Sequence, residues 1–219
     1  MKAVIFDLDG VITDTAKYHF QAWKTLASAI GIQIDETFNE QLKGISRMDS
    51  LERILKFGGR TTDFSNEEKN RLAECKNEDY RKLIASMTPD DVLPGIQKFL
   101  SELKEAGIKI GLASASKNGP FILDALKITH FFDTIVDPAK LKKGKPDPEI
   151  FATATAQLNL QPYNCAGIED AVAGIQSINE AGLFSVGVGV PDEVHADWRI
   201  NSTEALTLSG LKKHFKKKI

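Results

Sequence analysis

The chain opens with a short apolar run, Ala3–Phe6, that stops at Asp7 and is followed by Gly10. A run of that length, ended by polar residues, reads as a buried strand that delivers its carboxyl end into a loop. Comparable runs recur at Ile108–Ala113, Thr134–Val136, Cys165–Ile168 and Phe184–Val188, separated by helical pattern such as Ile96–Ala106 and Ala171–Ala181. Strands alternating with helices predict a parallel sheet covered on both faces. Between Asp14 and about Ser86 the texture changes. Thr15–Ile30, Glu36–Lys43, Asp49–Lys56 and Glu67–Ile84 carry helical periodicity, and no strand pattern interrupts them. Ser46 followed by Asp49 has the form of a capping-box-like start for the third of these helices. The pattern therefore predicts an α/β core with an all-helical insert after its first strand.

Composition narrows the function without choosing it. The 219 residues are 42% apolar and 26% charged, with a formal net charge of −2. That is ordinary for a soluble globular chain and gives no general pull toward nucleic acid or an anionic membrane. The lysine-rich tail Lys212–Lys218 is a local exception, and it reads as a solvated helix end. The two cysteines, Cys75 and Cys165, lie far apart without metal-ligand spacing, which reads as free thiols in a reducing compartment. The apolar stretch at the N-terminus is too short for a signal peptide, and no run approaches the roughly 18 apolar residues of a membrane span. The expectation is a cytoplasmic protein.

In an open, Rossmann-like parallel sheet, ligands sit beyond the carboxyl ends of the strands. The polar residues that end the apolar runs should therefore converge: Asp7 and Asp9 after the first, Ser114 after the second, Glu169 and Asp170 after the fourth. Lys145, in GKPDPEIF, opens a helix ahead of the fourth run. Crowded carboxylates need a cation, and an oxygen-only set suits magnesium. Asp7 could then attack phosphorus to form an aspartyl-phosphate. Asp9, two residues on, could exchange protons with the attacking or departing oxygen. Ser114 and Lys145 could hold the phosphoryl oxygens. Gly10 would let the backbone turn sharply after the carboxylates. Taken singly, each feature has a plainer explanation: a metal-free loop for the two aspartates, a helix N-cap for Ser114, a favoured helix start for Glu169 and Asp170.

Taken together, FDLDGVITDT, the Ser114 of GLASAS, the Lys145 of KGKPDP and the Glu169-Asp170 of GIEDA resemble the four motifs of the haloacid dehalogenase superfamily. The helical insert resembles its cap. The dehalogenases themselves lack the second aspartate of the first motif, so Asp9 argues against that branch. Further segments, TDTAKYHFQAW, LKGISRMDS, CKNEDY and LASASKNGP, resemble the superfamily's β-phosphoglucomutase family, and the likeness runs over about residues 1–190.

The resemblance implies a catalytic core at residues 1–14 and 87–219 with a cap at 15–86, and a monomer acting on a small sugar phosphate. It implies Mg2+ at Asp7, Asp9, Glu169 and Asp170, with Asp9 contributing its backbone carbonyl. β-D-glucose 1,6-bisphosphate would be the activating intermediate between β-D-glucose 1-phosphate and glucose 6-phosphate. Thr15 would serve as part of a hinge, and His19 would link the sugar to the general acid/base. Trp23, Lys43, Gly44, Arg47, Ser50 and Lys76 in the cap, with Ser114, Ala115, Ser116, Lys117 and Asn118 in the core, would contact substrate. Some of these read differently alone: Trp23 as core, His19 as an interface residue, Arg47 and Lys117 as solvated cations. Arg47 would clamp the phosphate that is not reacting, which suits the planar guanidinium fork. A sugar-phosphate phosphatase on the same core is the alternative function. An inactive binding protein should have lost Asp7, Asp9 or Lys145, and no motif supports nucleic-acid binding by the tail.

Overall fold

The computed structural model describes residues 1–218. Along the chain, β1 (Ala3–Phe6) is followed by α1 (Ala16–Ala29), α2 (Glu36–Asn39), α3 (Arg47–Phe57), α4 (Asn66–Ile84) and α5 (Ile96–Glu105). Then come β2 (Lys109–Leu112), α6 (Gly119–Ala125), β3 (Thr134–Ile135), α7 (Glu149–Gln157), β4 (Cys165–Glu169) and α8 (Val172–Glu180). The chain ends with β5 (Phe184–Val188), β6 (Trp198–Ile200) and α9 (Leu208–Lys218). It separates into two compact units, Met1–Asp14 with Met87–Ile219, and Thr15–Ser86.

The first unit is built on a sheet of order β3-β2-β1-β4-β5-β6, every pair parallel. All of β1, β4 and β5 is buried, as the uninterrupted apolar runs require. Alternate residues face opposite ways. Ile5 joins Phe151 and Ala154 of α7 and Ile175 and Ile178 of α8 on one face. Phe6 meets Phe99 of α5 edge-on at 5.9 Å, and Phe184 packs on Phe215 of α9. Helices thus cover both faces. Because β1 has β2 on one side and β4 on the other, the strand order reverses there, and the ends of β1 and β4 flank the switch point where such sheets bind ligands.

The edge strand β6 is not foreshadowed by an apolar run. It pairs with β5 in the register Val186 to Trp198, and only Ile200 of its three residues is buried. An edge strand needs just one covered face, so its alternation is too brief to stand out. The tail forms α9, with Lys212, Lys213 and Lys216 exposed. Residue 219 and the side chains of Lys217 and Lys218 lie outside the described residues.

Both crossings of the first unit's boundary are tied down within it. Leu93 N–H donates to Ile12 C=O at 2.8 Å, and the Thr13 hydroxyl donates to Asp91 C=O at 2.7 Å. The second unit is wholly helical around Trp23, Leu26, Phe38, Leu51, Ile54 and Leu55. Ser46 caps α3 by accepting from Asp49 N–H, as its sequence predicts, and Ser65 with Glu68 closes a full capping box on α4. The Glu36–Lys43 segment is shorter as α-helix than its pattern predicts, since it tightens to a 3₁₀ turn at Glu40–Leu42.

Candidate active site

The carboxyl ends of β1 and β4 bring together residues more than 150 positions apart in the chain. Asp7 extends β1 by donating its N–H to Ile168 C=O at 3.0 Å, which aims its side chain beyond the sheet edge. Glu169 closes β4 and Asp170 follows it. Asp7, Glu169 and Asp170 each present an oxygen within 4.8 Å of the others. Lys145 enters from the loop before α7. Its Nζ donates to Asp7 Oδ1 at 2.7 Å and to Glu169 Oε1 at 2.6 Å, with the ammonium fully buried. Glu169 Oε2 accepts the Ala171 N–H at 2.9 Å, so both of its oxygens are engaged. Ser114 lies buried just past β2, where its Oγ accepts the Ser116 N–H at 3.1 Å. Ser116 in turn accepts from Asn118 N–H, while Ala115 is half-buried and Lys117 exposed.

Burial disfavours a charged lysine, but the Asp7 and Glu169 carboxylates outweigh it and raise the Lys145 pKa above its ordinary value. Burial also pushes the Glu169 carboxyl up, with Lys145 pulling the other way. Three carboxylates face one ammonium, and buried charge of that sign calls for a further cation. The donors are all oxygen, which fits a hard divalent ion such as magnesium. Gly10 makes the crowding possible. It adopts φ +74°, and a Cβ there would lie 2.0 Å from Asp170 Oδ2. Asp9 sits between, its backbone bridging to Thr13, and its side chain is not part of the three-carboxylate group.

This arrangement has relatives. The model of the haloacid dehalogenase-like hydrolase family matches residues 1–182. The β-phosphoglucomutase of Bacillus subtilis is 57% identical over 209 residues, covering 95% of this chain and 92% of that protein. The chain belongs to the haloacid dehalogenase-like hydrolase family, in its β-phosphoglucomutase branch. The crystal structure of β-phosphoglucomutase from Clostridium difficile superposes with a TM-score of 0.97 at 51% identity, covering 100% of this chain and 98% of that one. A phosphorylated carbohydrates phosphatase of Thermotoga maritima is 30% identical, covering 84% of this chain and 82% of that protein. Use of magnesium goes with this family membership.

The helical unit holds the remaining candidates, and there the structure adds partners that the family pattern does not supply. Thr15 opens α1, its C=O accepting from Tyr18 and His19 N–H groups. Lys76 Nζ lies 2.8 Å from His19 Nδ1 and stands over the Trp23 and Tyr80 rings at 4.8 and 4.7 Å. An ammonium only donates, so Nδ1 must hold a lone pair and His19 is neutral. Burial, then the charges of Lys76 and Arg47, hold its pKa well below the usual histidine value. Trp23 is 2% exposed inside the apolar cluster, so it packs as core, with the Lys76 ammonium over its ring. Ser50 is buried and donates to Ser46 C=O, a bond internal to α3. Gly44, at φ +71°, and Lys43, paired with Glu40 at 2.8 Å, precede it. Arg47 is not a solvated cation: it donates to Glu74 Oε2 of α4 at 2.8 Å. Glu74 was not legible as a partner, because only the packing of α3 on α4 brings the two together. In the first unit Gly174 of α8 lies against Glu169, and Ser177 donates to Asp147 C=O. Their only sequence signal is small residues three apart on the helix that follows the acidic pair.

Proposed function

We propose that the chain interconverts β-D-glucose 1-phosphate and glucose 6-phosphate, with Asp7 as the phosphoryl carrier. The observation that carries this is the 57% identity, nearly end to end, to the B. subtilis β-phosphoglucomutase, which favours a mutase over the phosphatase seen at 30%. The site chemistry supports it. An Asp7 oxygen attacks phosphorus as the bond to the donor oxygen breaks, leaving an aspartyl-phosphate. A sugar hydroxyl then attacks that phosphorus and releases the Asp7 carboxylate. Asp9 gives a proton to the departing sugar oxygen and takes one from the attacking hydroxyl. Lys145, already bonded to Asp7, and Ser114 neutralise and orient the phosphoryl oxygens. β-D-glucose 1,6-bisphosphate is both the product of the transfer from Asp7 to the sugar hydroxyl and the donor that re-phosphorylates Asp7.

Magnesium would be held by Asp7, Asp170 and the Asp9 carbonyl, and when bound it offsets negative charge around the phosphoryl group. Glu169, with both oxygens engaged, serves mainly to hold Lys145. In the helical unit, Arg47 and Lys43 supply cations for the phosphate that is not reacting. His19 and Lys76 take part in sugar recognition, with Gly44 and Ser50 shaping the segment around Arg47. Ala115, Ser116, Lys117 and Asn118 are the core contacts, and Thr15 is part of the hinge. Cytoplasmic location, which the free thiols of Cys75 and Cys165 support, and a monomeric state belong to the same reading. No helix among the described residues is long and apolar enough to cross a membrane.

A coupled assay tests the proposal. With magnesium and a trace of bisphosphate, β-glucose 1-phosphate should yield glucose 6-phosphate without matching release of free phosphate, and the α anomer should react poorly. Asp7→Asn should remain folded and lose turnover by several orders of magnitude. Stoichiometric phosphate release would favour the phosphatase, and an active, folded Asp7→Asn would end the carrier role.

A further inference from the structure

Lys145 bonds both Asp7 and Glu169, yet it rises from a loop rather than from a strand or helix. A lysine on a long flexible stem needs its backbone fixed if its ammonium is to stay within hydrogen-bond reach. The loop has local ties: Lys142 and Lys143 N–H groups donate to Glu149 Oε2, and Asp147 N–H donates to Gly144 C=O. Besides the bonds of Lys145 itself, a side-chain tie to a distant element comes from α8. Ser177, fully buried, donates its hydroxyl to Asp147 C=O at 2.7 Å across 30 residues of sequence. Only Pro146, whose ring stiffens φ, separates Asp147 from Lys145.

Three residues before Ser177, on the same face of α8, stands Gly174. A Cβ there would lie 1.9 Å from the Glu169 carboxyl. One face of one helix therefore packs against Glu169 and bonds the segment that carries Lys145. It gives the glutamate room and anchors the segment that carries the lysine. The same helix begins two residues after Asp170.

We propose that this Gly174–Ser177 face of α8 sets the position of Lys145 for phosphoryl transfer, with Ser177 as a positioning residue. The inference rests on the reading that Lys145 serves the reaction. Removing the hydroxyl leaves the Asp147 carbonyl without its long-range donor, and the loop then relaxes around Pro146. A displacement of about 1 Å at a reacting group can cost about a hundredfold in rate.

The test is a double-mutant cycle on the full chain, with single-turnover and steady-state conversion of β-glucose 1-phosphate as readout. Ser177→Ala should lower kcat about ten- to a hundred-fold and leave KM within about twofold. In a Lys145→Ala background the same change should cost less than about twofold, because the group it positions is gone. Thr203→Val is the control. It removes a comparable long-range bond, Thr203 hydroxyl to Pro94 C=O at 2.8 Å, and should lower Tm with kcat unchanged. A folded Ser177→Ala with unaltered kcat overturns the inference, as does an equal loss in both backgrounds. If the alanine variant does not fold, Ser177→Cys, a weaker donor, carries the same cycle. Full turnover in Lys145→Ala would instead overturn the role of Lys145 in the proposed function, and with it the premise.

Discussion

Replacing Gly10 by alanine should uncouple metal binding from folding, and the structure sets the size of both effects. Gly10 has φ +74°, where an L residue with a Cβ costs about 1 kcal/mol or somewhat more. For a chain of this length that is a fall in Tm of roughly 2–4 °C. The second effect is steric. The added Cβ would lie 2.0 Å from Asp170 Oδ2 and 2.4 Å from its Cγ, far inside van der Waals contact. The Asp170 carboxyl must retreat by about 1 Å or more, whereas metal sites tolerate errors of about 0.2 Å. Misplacing a supporting group at such sites costs roughly 10–100-fold in affinity, so the magnesium half-saturation should rise by at least that factor. Gly107→Ala separates the two effects. Gly107 has φ +67° but nothing within 4 Å of its would-be Cβ, so it should reproduce the loss of Tm and none of the loss of metal affinity. Magnesium titration of turnover, with calorimetric binding to the metal-free protein, provides the assay. A Gly10→Ala protein with wild-type magnesium affinity would refute the placement of Asp170 in the metal site.

Further outcomes follow from the same geometry. Asp9→Asn should keep magnesium affinity, since its carbonyl is unchanged, yet lose roughly 10²–10⁴-fold in turnover; equal collapse of both would make its carboxylate a ligand. Arg47→Ala should depress conversion of glucose phosphates about ten- to a hundred-fold more than hydrolysis of acetyl phosphate, through loss of a charged hydrogen bond, and an unchanged ratio would remove Arg47 from the distal phosphate. His19 is held neutral in the folded chain, with a pKa well below the ordinary 6.5 it should show unfolded. The unfolded chain therefore binds the extra proton first, so this contribution is complete above about pH 6.5 and is lost as pH falls toward the folded pKa. Urea unfolding between about pH 7 and 5 should show a shallower pH slope for His19→Gln than for the parent, and identical slopes would contradict the burial of His19 as a neutral ring.

The apolar runs and their polar endings were enough to read a parallel α/β core, because a strand buried on both faces must be continuously apolar and the residue that ends it must leave the sheet. They also pointed to Asp7, Glu169 and Asp170 as one group, with Ser114 following the neighbouring strand, since parallel strands place all their carboxyl ends on one edge. The helical insert was legible for the same reason: its apolar stripes keep the period of a helix from Thr15 to Ile84. Pairings were not legible. That Lys145 divides its ammonium between Asp7 and Glu169, that Arg47 meets Glu74, and that Ser177 secures Asp147 depend on residues 24 to 138 positions apart meeting. Each of these side chains, read alone, is an ordinary polar residue. Periodicity reports which way a side chain faces, while its partner is chosen by how helices and strands pack, and that choice belongs to the tertiary structure alone.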